Sequence, residues 1–270
     1  LEANIVIIDR PITSNDIIRD CINIGIHPGM ILLVHSSLKS IGGWIVGGAE
    51  AVIIALQNVL GDEGTLIMPT QSPNLTDPET WMNPPVDPQW WDLVRESMPP
   101  YDPEFTLTSG MGIIPETFRK QSGVVRSAHP HVSFAAKGRL ARNLMESHPL
   151  DYCLGENSPL ARMVEAGAYV LLLGTDHDKN TTFHLAEYRA SYRGKKHIES
   201  KAPIKGELNT EWRSFQDINF HSEDFHLLGN DFERNCHDSY KRGRIGQASC
   251  MLASQQDLVN YAVPWLEYNR

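Results

Sequence analysis

Three short apolar runs constrain the fold of this chain more than any other feature, because each is cut off by a residue that stops a strand. Met30–Val34 ends at His35, Thr65–Met68 is stopped by Pro69, and Ala168–Leu173, the most hydrophobic of the three, is ended by Gly174. Apolar runs this short, bounded by turn residues, fit buried strands. Between the first two, Gly47 and Gly48 lead into a helix from about Ala49 to Leu60, and Gly61-Asp62-Glu63-Gly64 makes a turn. The order strand, helix, strand predicts a parallel pair joined by a crossover helix, since parallel neighbours cannot be linked by a tight turn.

The remaining elements follow from caps and stops. Ser14–Ile24 has helical spacing, with Ser14 or Asn15 as cap and Gly25 as stop. Met111 to Lys120 reads as helix and Ser133–Ala136 as strand. Ser158-Pro159 opens another helix, with serine as cap and proline at the first position. The polar loop Thr175 to Asn180 leads into a helix starting near Thr181. From about Ala202 the elements read as shorter, and a last helix runs from Gln255 to about Ala262, before Pro264. Together these predict one α/β domain over residues 1–270. A hydrophobic content of 41% supplies it with a sizeable core.

An excursion over residues 70–104 interrupts the pattern. Residues 69–103 hold nine of the seventeen prolines, together with Trp81, Trp90 and Trp91 out of six tryptophans. Between Asp77 and Glu104, seven acids accompany one base, Arg95. The aromatics argue for order. The expectation is a segment presenting acid and aromatic groups to a cleft, with a proline-stiffened surface loop as the plainer alternative.

The formal net charge of −9 disfavours a phosphate backbone as partner and favours, weakly, a polycationic small molecule. No apolar run approaches the roughly 18 residues of a membrane helix. Leu1 to Arg10 lacks the features of a signal peptide, so the expected location is cytoplasmic. Cys21, Cys153, Cys236 and Cys250 contain no CxxC pair and are read as free, buried thiols.

The richest segment for chemistry is Gly174 to Tyr188. It follows a buried strand, and open α/β sheets place ligands beyond the C-terminal ends of their strands. His184 and Glu187 are three apart, and His184 and Tyr188 four apart, so all three share a helix face. Histidine takes a proton near neutral pH, and a nearby carboxylate fixes its tautomer or holds a cationic substrate. A solvent-facing helix is the alternative. His35-Ser36-Ser37-Leu38, before Gly42-Gly43 and Gly47-Gly48, offers hydroxyls and backbone amides for a phosphate or a pantetheine arm. Gly110-x-Gly112 fails as a dinucleotide fingerprint because Pro115 stands at its third glycine. His129-x-His131 has no accompanying metal motif. There is no GxSxG elbow and no GxxxxGK[ST] loop.

In order along the chain, His35-Ser-Ser-Leu38, Gly64-Thr-Leu-Ile-Met-Pro69, Met111-Gly-x-x-Pro-Glu-x-Phe-Arg119, Arg126-Ser-x-His-Pro130 with Ser133-Phe-Ala-Ala136, Ser158-Pro-Leu160, Asn180-Thr-Thr-x-His-x-Ala-Glu187 and Gly243-Arg-Ile-Gly-Gln-Ala248 resemble the aminoglycoside 3-N-acetyltransferase family. The resemblance spans about residues 12 to 268 and is nearest the Bacillus-type members. It implies a three-layer α/β/α sandwich distinct from the histone-acetyltransferase-like superfamily. It implies acetyl-CoA as co-substrate, no metal, and an aminoglycoside acceptor acetylated at the 3-amino group of its aminocyclitol, which confers resistance.

On matching motifs, His35, Ser36, Ser37, Leu38, Ser109, Val125, Arg126 and Ser127 would bind the coenzyme, and His184 would be the general base. Asp178, Glu187 and Asp217 are candidates to orient His184 or bind ammonium groups, with Asp217 assigned to catalysis and Asp102, Asp178 and Glu187 to substrate. Arg119 is expected to pair with an acid or a coenzyme phosphate. Two departures stand out: an extra glycine near Gly43, and His177 where a hydrophobic or aromatic residue is expected. The competing readings are a metal-dependent hydrolase using His129, His131, His177 and His184, and a coenzyme-A-binding module without turnover.

Overall fold

The computed structural model describes residues 10–207 and 209–270. The stretch read for a leader therefore lies, apart from Arg10, outside the described residues. In chain order the elements are α1 (Ser14–Ile24), β1 (Ile31–Ser36), α2 (Leu38–Ile41), α3 (Gly48–Leu60), β2 (Thr65–Pro69), α4 (Trp91–Ser97), α5 (Ile113–Arg119), β3 (Val125–Arg126), β4 (Phe134–Gly138), α6 (Ala141–Met145), α7 (Pro159–Glu165), β5 (Tyr169–Leu173), α8 (Thr182–Arg189), β6 (His197–Lys205), β7 (Thr210–Ile218), α9 (Phe225–Asn235), β8 (Tyr240–Ile245), β9 (Ala248–Ser254) and α10 (Gln255–Asn269).

Seven strands form one sheet in the order β3-β4-β2-β1-β5-β9-β8, while β6 and β7 make a separate hairpin. β1 runs parallel to both β2 and β5, and the outer strands are antiparallel. The expected parallel pair is therefore present, and β1 lies at the point where the chain turns from one side of the sheet to the other. Ligands of open α/β sheets bind beyond the strand ends at such a point.

Alternation along the strands divides the core between the two faces. Leu32, Val34, Leu66, Met68, Leu171 and Leu173 pack with α1, α3 and α5, whereas Leu33, Ile67, Val170 and Leu172 pack with α6 to α10. This is the three-layer α/β/α sandwich. Burial on both faces explains why the central strands read as unbroken apolar runs.

Several expectations are corrected. α1 is capped by Thr13, not Ser14 or Asn15: Thr13 Oγ1 accepts from the Asp16 amide at 3.3 Å and the Thr13 amide donates back to the Asp16 carboxylate at 3.0 Å. The last helix does not stop before Pro264 but runs on to Asn269, because Leu266 beyond the proline is fully buried in the core. Nor are the elements after Ala202 shorter, since β6 and β7 have nine residues each. Both strands are largely exposed and polar, which leaves no apolar run to read.

Residues 70–104 are ordered, and lie along the β6–β7 hairpin. Trp212 Nε1 donates to the Arg95 carbonyl at 2.8 Å, and the Tyr101 amide donates to the Pro203 carbonyl at 2.9 Å. Most of the acids are engaged locally. Arg95 grips buried Asp77 through two bonds of 2.8 and 3.1 Å and also reaches Asp92. Asp87 accepts from the Gln89 amide, and Asp102 from the amides of Glu104 and Phe105. Burial alone would raise the Asp77 pKa, but the Arg95 hydrogen bonds hold it below the usual carboxylate range. All four cysteines are free. Cys21, Cys153 and Cys250 are buried, while Cys236 is only half-buried.

Candidate active site

β1 and β5 end side by side, and their loops are tied together. The Ser37 amide donates to the Leu173 carbonyl at 2.9 Å, and Ser40 Oγ donates to the Gly174 carbonyl at 2.9 Å. Gly174 adopts φ +65°, and a side chain there would bring its Cβ to 2.4 Å from the Ser40 Cβ. Only glycine lets the two loops approach this closely. Two hollows open at this seam. A cleft of about 270 Å³ is lined by His35, Ser36, Gln71, Asp178, Asn180 and His184 among others. A larger groove of about 730 Å³ runs over Ser36, Ser37, Leu38, Gly42, Gly43 and Trp44. Ser36, Gly110 and Met111 line both, so they are one continuous depression.

His184 sits in the cleft between the rings of Phe220 and Phe225, each centred 4.9 Å away. Its Nδ1 lies 2.5 Å from Glu187 Oε2. That contact makes Nδ1 the protonated nitrogen when the ring is neutral. Nε2 bonds to no described residue and is left for the cleft. Glu187 is fully buried, and its other oxygen accepts from Arg270 Nη1 at 2.6 Å and from the His221 amide at 3.1 Å. The sequence assigned Glu187 to substrate or to orienting His184; the structure places it behind His184, away from the cleft surface.

His35, near the end of β1, lines the same cleft. Burial, and then the neighbouring His184, push its pKa down to about 3, so it stays neutral. His35 Nε2, Ser36 Oγ and Asn180 Nδ2 are buried polar atoms without a partner among the described residues, and all three residues line the smaller cleft. Buried donors left unpaired cost free energy, and a ligand with acceptor oxygens would satisfy them. The Asn180 amide orientation is set by its Oδ1, which accepts from the Thr182 amide at 3.2 Å. Asp178, half-buried in the cleft wall, pairs with Lys179 at 2.9 Å.

Other expected residues lie elsewhere. Asp217 accepts from Tyr188 Oη, not from His184. Burial raises its pKa. Tyr188 keeps the helix face it was expected to share with His184, since both rings pack against Phe220, but its hydroxyl goes to Asp217 and not to the histidine. Asp102 is exposed and lines neither hollow. Arg126 is clamped by the Thr70 and Thr106 carbonyls and the hydroxyls of Ser72 and Ser133. Ser127 Oγ is bonded to His148 Nδ1 and accepts from the Phe134 amide. Ser109 and Val125 do not line either hollow, although Ser109 adjoins Gly110. Arg119 pairs with Glu116 and holds the Glu104 carbonyl. His177 is no pocket residue either. It stacks on Phe183 and bonds Glu233 at 2.8 Å, against the backbone of Gly229 in α9.

Of the histidines in the metal reading, His129 and His131 lie side by side with ring centres 5.7 Å apart, and His129 Nδ1 accepts the amides of His131 and Val132; no group of three or more His, Cys, Asp or Glu side chains is gathered as metal ligands among the described residues. Sequence reasoning missed Arg270, His221, Phe220 and Phe225. No local signal marks them, because they reach the site only through tertiary packing.

A carboxylate-supported histidine in a cleft at the switch point of an α/β sheet is the layout of an enzyme. Residues 33–267 match the family model for aminoglycoside 3-N-acetyltransferases, and the chain belongs to that family. It is 45% identical over 260 residues to the SPbeta prophage-derived aminoglycoside N(3')-acetyltransferase-like protein YokD of Bacillus subtilis, covering 96% of this chain and 94% of that protein. It is 34% identical to aminoglycoside N(3)-acetyltransferase VII of Streptomyces paromomycinus, covering 96% and 93% of the two chains. The crystal structure of YokD matches the fold with a TM-score of 0.92 over 96% of this chain and 95% of that one. The structure of AAC-IIIb in binary form with CoASH matches with a TM-score of 0.84 at 29% identity, over 96% and 97% of the chains. These are not histone-acetyltransferase folds, as the sequence resemblance implied.

Proposed function

We propose that this enzyme transfers the acetyl group of acetyl-CoA to the 3-amino group of an aminoglycoside aminocyclitol, by direct attack with His184 as general base. The observation that carries the reading is the His184–Glu187 contact in a cleft that joins a longer groove. An ammonium group has no lone pair to attack a thioester, so a base must take its proton. With Nδ1 committed to Glu187, Nε2 is the atom that accepts. Such assistance is typically worth about 10²–10⁴-fold in rate.

Ser36 Oγ and Asn180 Nδ2 are the donors suited to the negative oxygen that forms on the thioester carbon during attack. The groove over Ser37, Leu38 and Gly42–Trp44 suits the coenzyme, as the CoASH-bound relative supports. No metal enters the scheme. Neutralising an amine on the antibiotic weakens its charge-dependent binding and so gives resistance. The reading takes the chain as one catalytic domain, since both apolar clusters share the central sheet, and places it in the cytoplasm with the acetyl-CoA pool. Thiol release from acetyl-CoA, followed across a panel of aminoglycosides and simpler amines, tests it. Release with aminoglycosides is expected, and no turnover with any amine overturns it.

A further inference from the structure

We propose that Arg270 is a positioning residue for this reaction: it fixes the orientation and charge of Glu187 and thereby sets the pH at which His184 is free to act. The inference rests on His184 as the base. It goes beyond that reading because Arg270 touches neither hollow.

Arg270 directly follows α10, where its backbone amide donates to the Leu266 carbonyl at 3.0 Å. The side chain folds back into the protein, 7% exposed. Nη1 donates to Glu187 Oε1 at 2.6 Å, while Nε and Nη2 fork onto Asp224 at 2.7 and 2.5 Å and Nη2 also reaches the His221 carbonyl at 3.1 Å. Its planar face lies 5.3 Å from the Tyr192 ring and 5.9 Å from that of Phe225, which also flanks His184. A fork with this many fixed donors suits arginine and not lysine. Burial works against the charge, but the bonds to Asp224 and Glu187 keep the guanidinium protonated.

The consequence falls on the proton shared by His184 and Glu187. Glu187 divides its oxygens: Oε2 faces His184 and Oε1 faces Arg270 and the His221 amide. The titratable and charged groups around the pair are Arg270 from the end of α10, Asp224 and His221 from the segment before α9, Tyr192 and Lys195 beyond α8, Asp178 and Lys179 in the cleft wall, and the neutral His35 from β1. Arg270 is the cation in direct contact. It disfavours an extra proton on the pair, whichever partner carries it. Without it, the pair would keep that proton to higher pH, and the base would be unavailable over part of the working range.

The test compares the pH profiles of kcat/KM for the wild type, Arg270→Gln, Arg270→Lys and Asp224→Asn. Arg270→Gln should move the lower limb up by about one unit. Below the new limb this costs about tenfold in rate, while the KM for acetyl-CoA stays within about twofold. Arg270→Lys retains the charge, so its limb stays near wild type with only part of kcat lost. Asp224→Asn leaves Arg270 less neutralised and should move the limb the other way, to lower pH.

An Arg270→Gln enzyme with an unshifted limb, or a loss of kcat equal at every pH and tracked by the melting temperature, overturns the proposal and leaves Arg270 a structural clip. Should Arg270→Gln not fold, the Asp224→Asn limb decides, and no movement refutes it. His184→Ala assayed in parallel separates the two readings. If it keeps turnover, the base assignment falls; if it is inactive while the Arg270 profiles do not move, this inference alone falls.

Discussion

Tyr188 Oη donates to Asp217 Oδ1 at 2.5 Å, one helical turn beyond His184. Asp217 also accepts the Ile218 amide at 2.8 Å and is buried. Asp217→Ala leaves the Ile218 amide unpaired and the Tyr188 hydroxyl with only the weak Cys153 Sγ contact at 3.6 Å, and a buried unpaired donor costs about 1–3 kcal/mol. The urea midpoint should therefore fall, while kcat stays within about threefold of wild type, since no bond links Asp217 to His184 or Glu187. The reverse pattern, unchanged stability with lost turnover, would return Asp217 to the reacting centre.

Acid should destabilise the protein through its buried histidines. Burial pushes His35 and His148 down to about 3, His131 to about 4, and His129 well below its ordinary value. Unfolded, each titrates near 6.5. Because the folded values are depressed, the stability is complete above about pH 6.5 and is lost as pH falls toward the folded values. Each group removes roughly 1.4 kcal/mol per pH unit within that window. Urea midpoints measured from about pH 7.5 down to about pH 5 should decline steeply. A flat response would mean that these rings are solvated or already charged in the folded state.

What the sequence disclosed depended on how local each signal was. β1, β2 and β5 could be read because they are buried on both faces, and Ser158 and Gly25 because caps and stops act over one turn. His184 and Glu187 could be paired because a helix brings residues three apart together. Arg270 and Glu187 are 83 residues apart, and nothing in either neighbourhood announces the bond. The hairpin β6–β7 was hidden because its strands are mostly polar and exposed, with neither an apolar run nor a regular alternation. The acids of residues 77–104 looked like a cationic site, since composition does not reveal that Asp77 is neutralised by Arg95 or that Asp87 and Asp102 cap their own turns.

Asp178 lines the cleft, whereas Asp102 is exposed outside it. Asp178→Asn should raise the KM for a polyamine acceptor several-fold, and Asp102→Asn should leave it unchanged. Added salt should raise the wild-type acceptor KM and flatten the difference between wild type and Asp178→Asn, because screening shortens the reach of a half-exposed charge. Steady-state kinetics at low and high ionic strength measure both effects. An Asp102→Asn enzyme with the larger change would bring the excursion back to the substrate.

His184 admits two chemical roles that the kinetics separate. As a base it removes a proton through Nε2 while the amine attacks, so both substrates must be bound together. As a nucleophile it would take the acetyl group itself and release coenzyme A before the amine binds. The geometry favours the first role. Glu187 at 2.5 Å fixes the neutral ring with Nε2 toward the cleft, and the cleft opens directly into the groove at Ser36, Gly110 and Met111. Two substrates can therefore meet beside the ring. Initial-rate lines should intersect when both substrates are varied, and no acetyl-enzyme should be trapped by acid quenching. His184→Ala should lower kcat by roughly 10²–10⁴-fold with coenzyme A affinity near wild type, and should remove the lower limb of the kcat/KM profile. Parallel lines with a trapped acetyl group would establish the nucleophile instead. Near-normal turnover of the alanine variant would leave His184 with neither role, and the Glu187 contact would then be only a helix-stabilising pair.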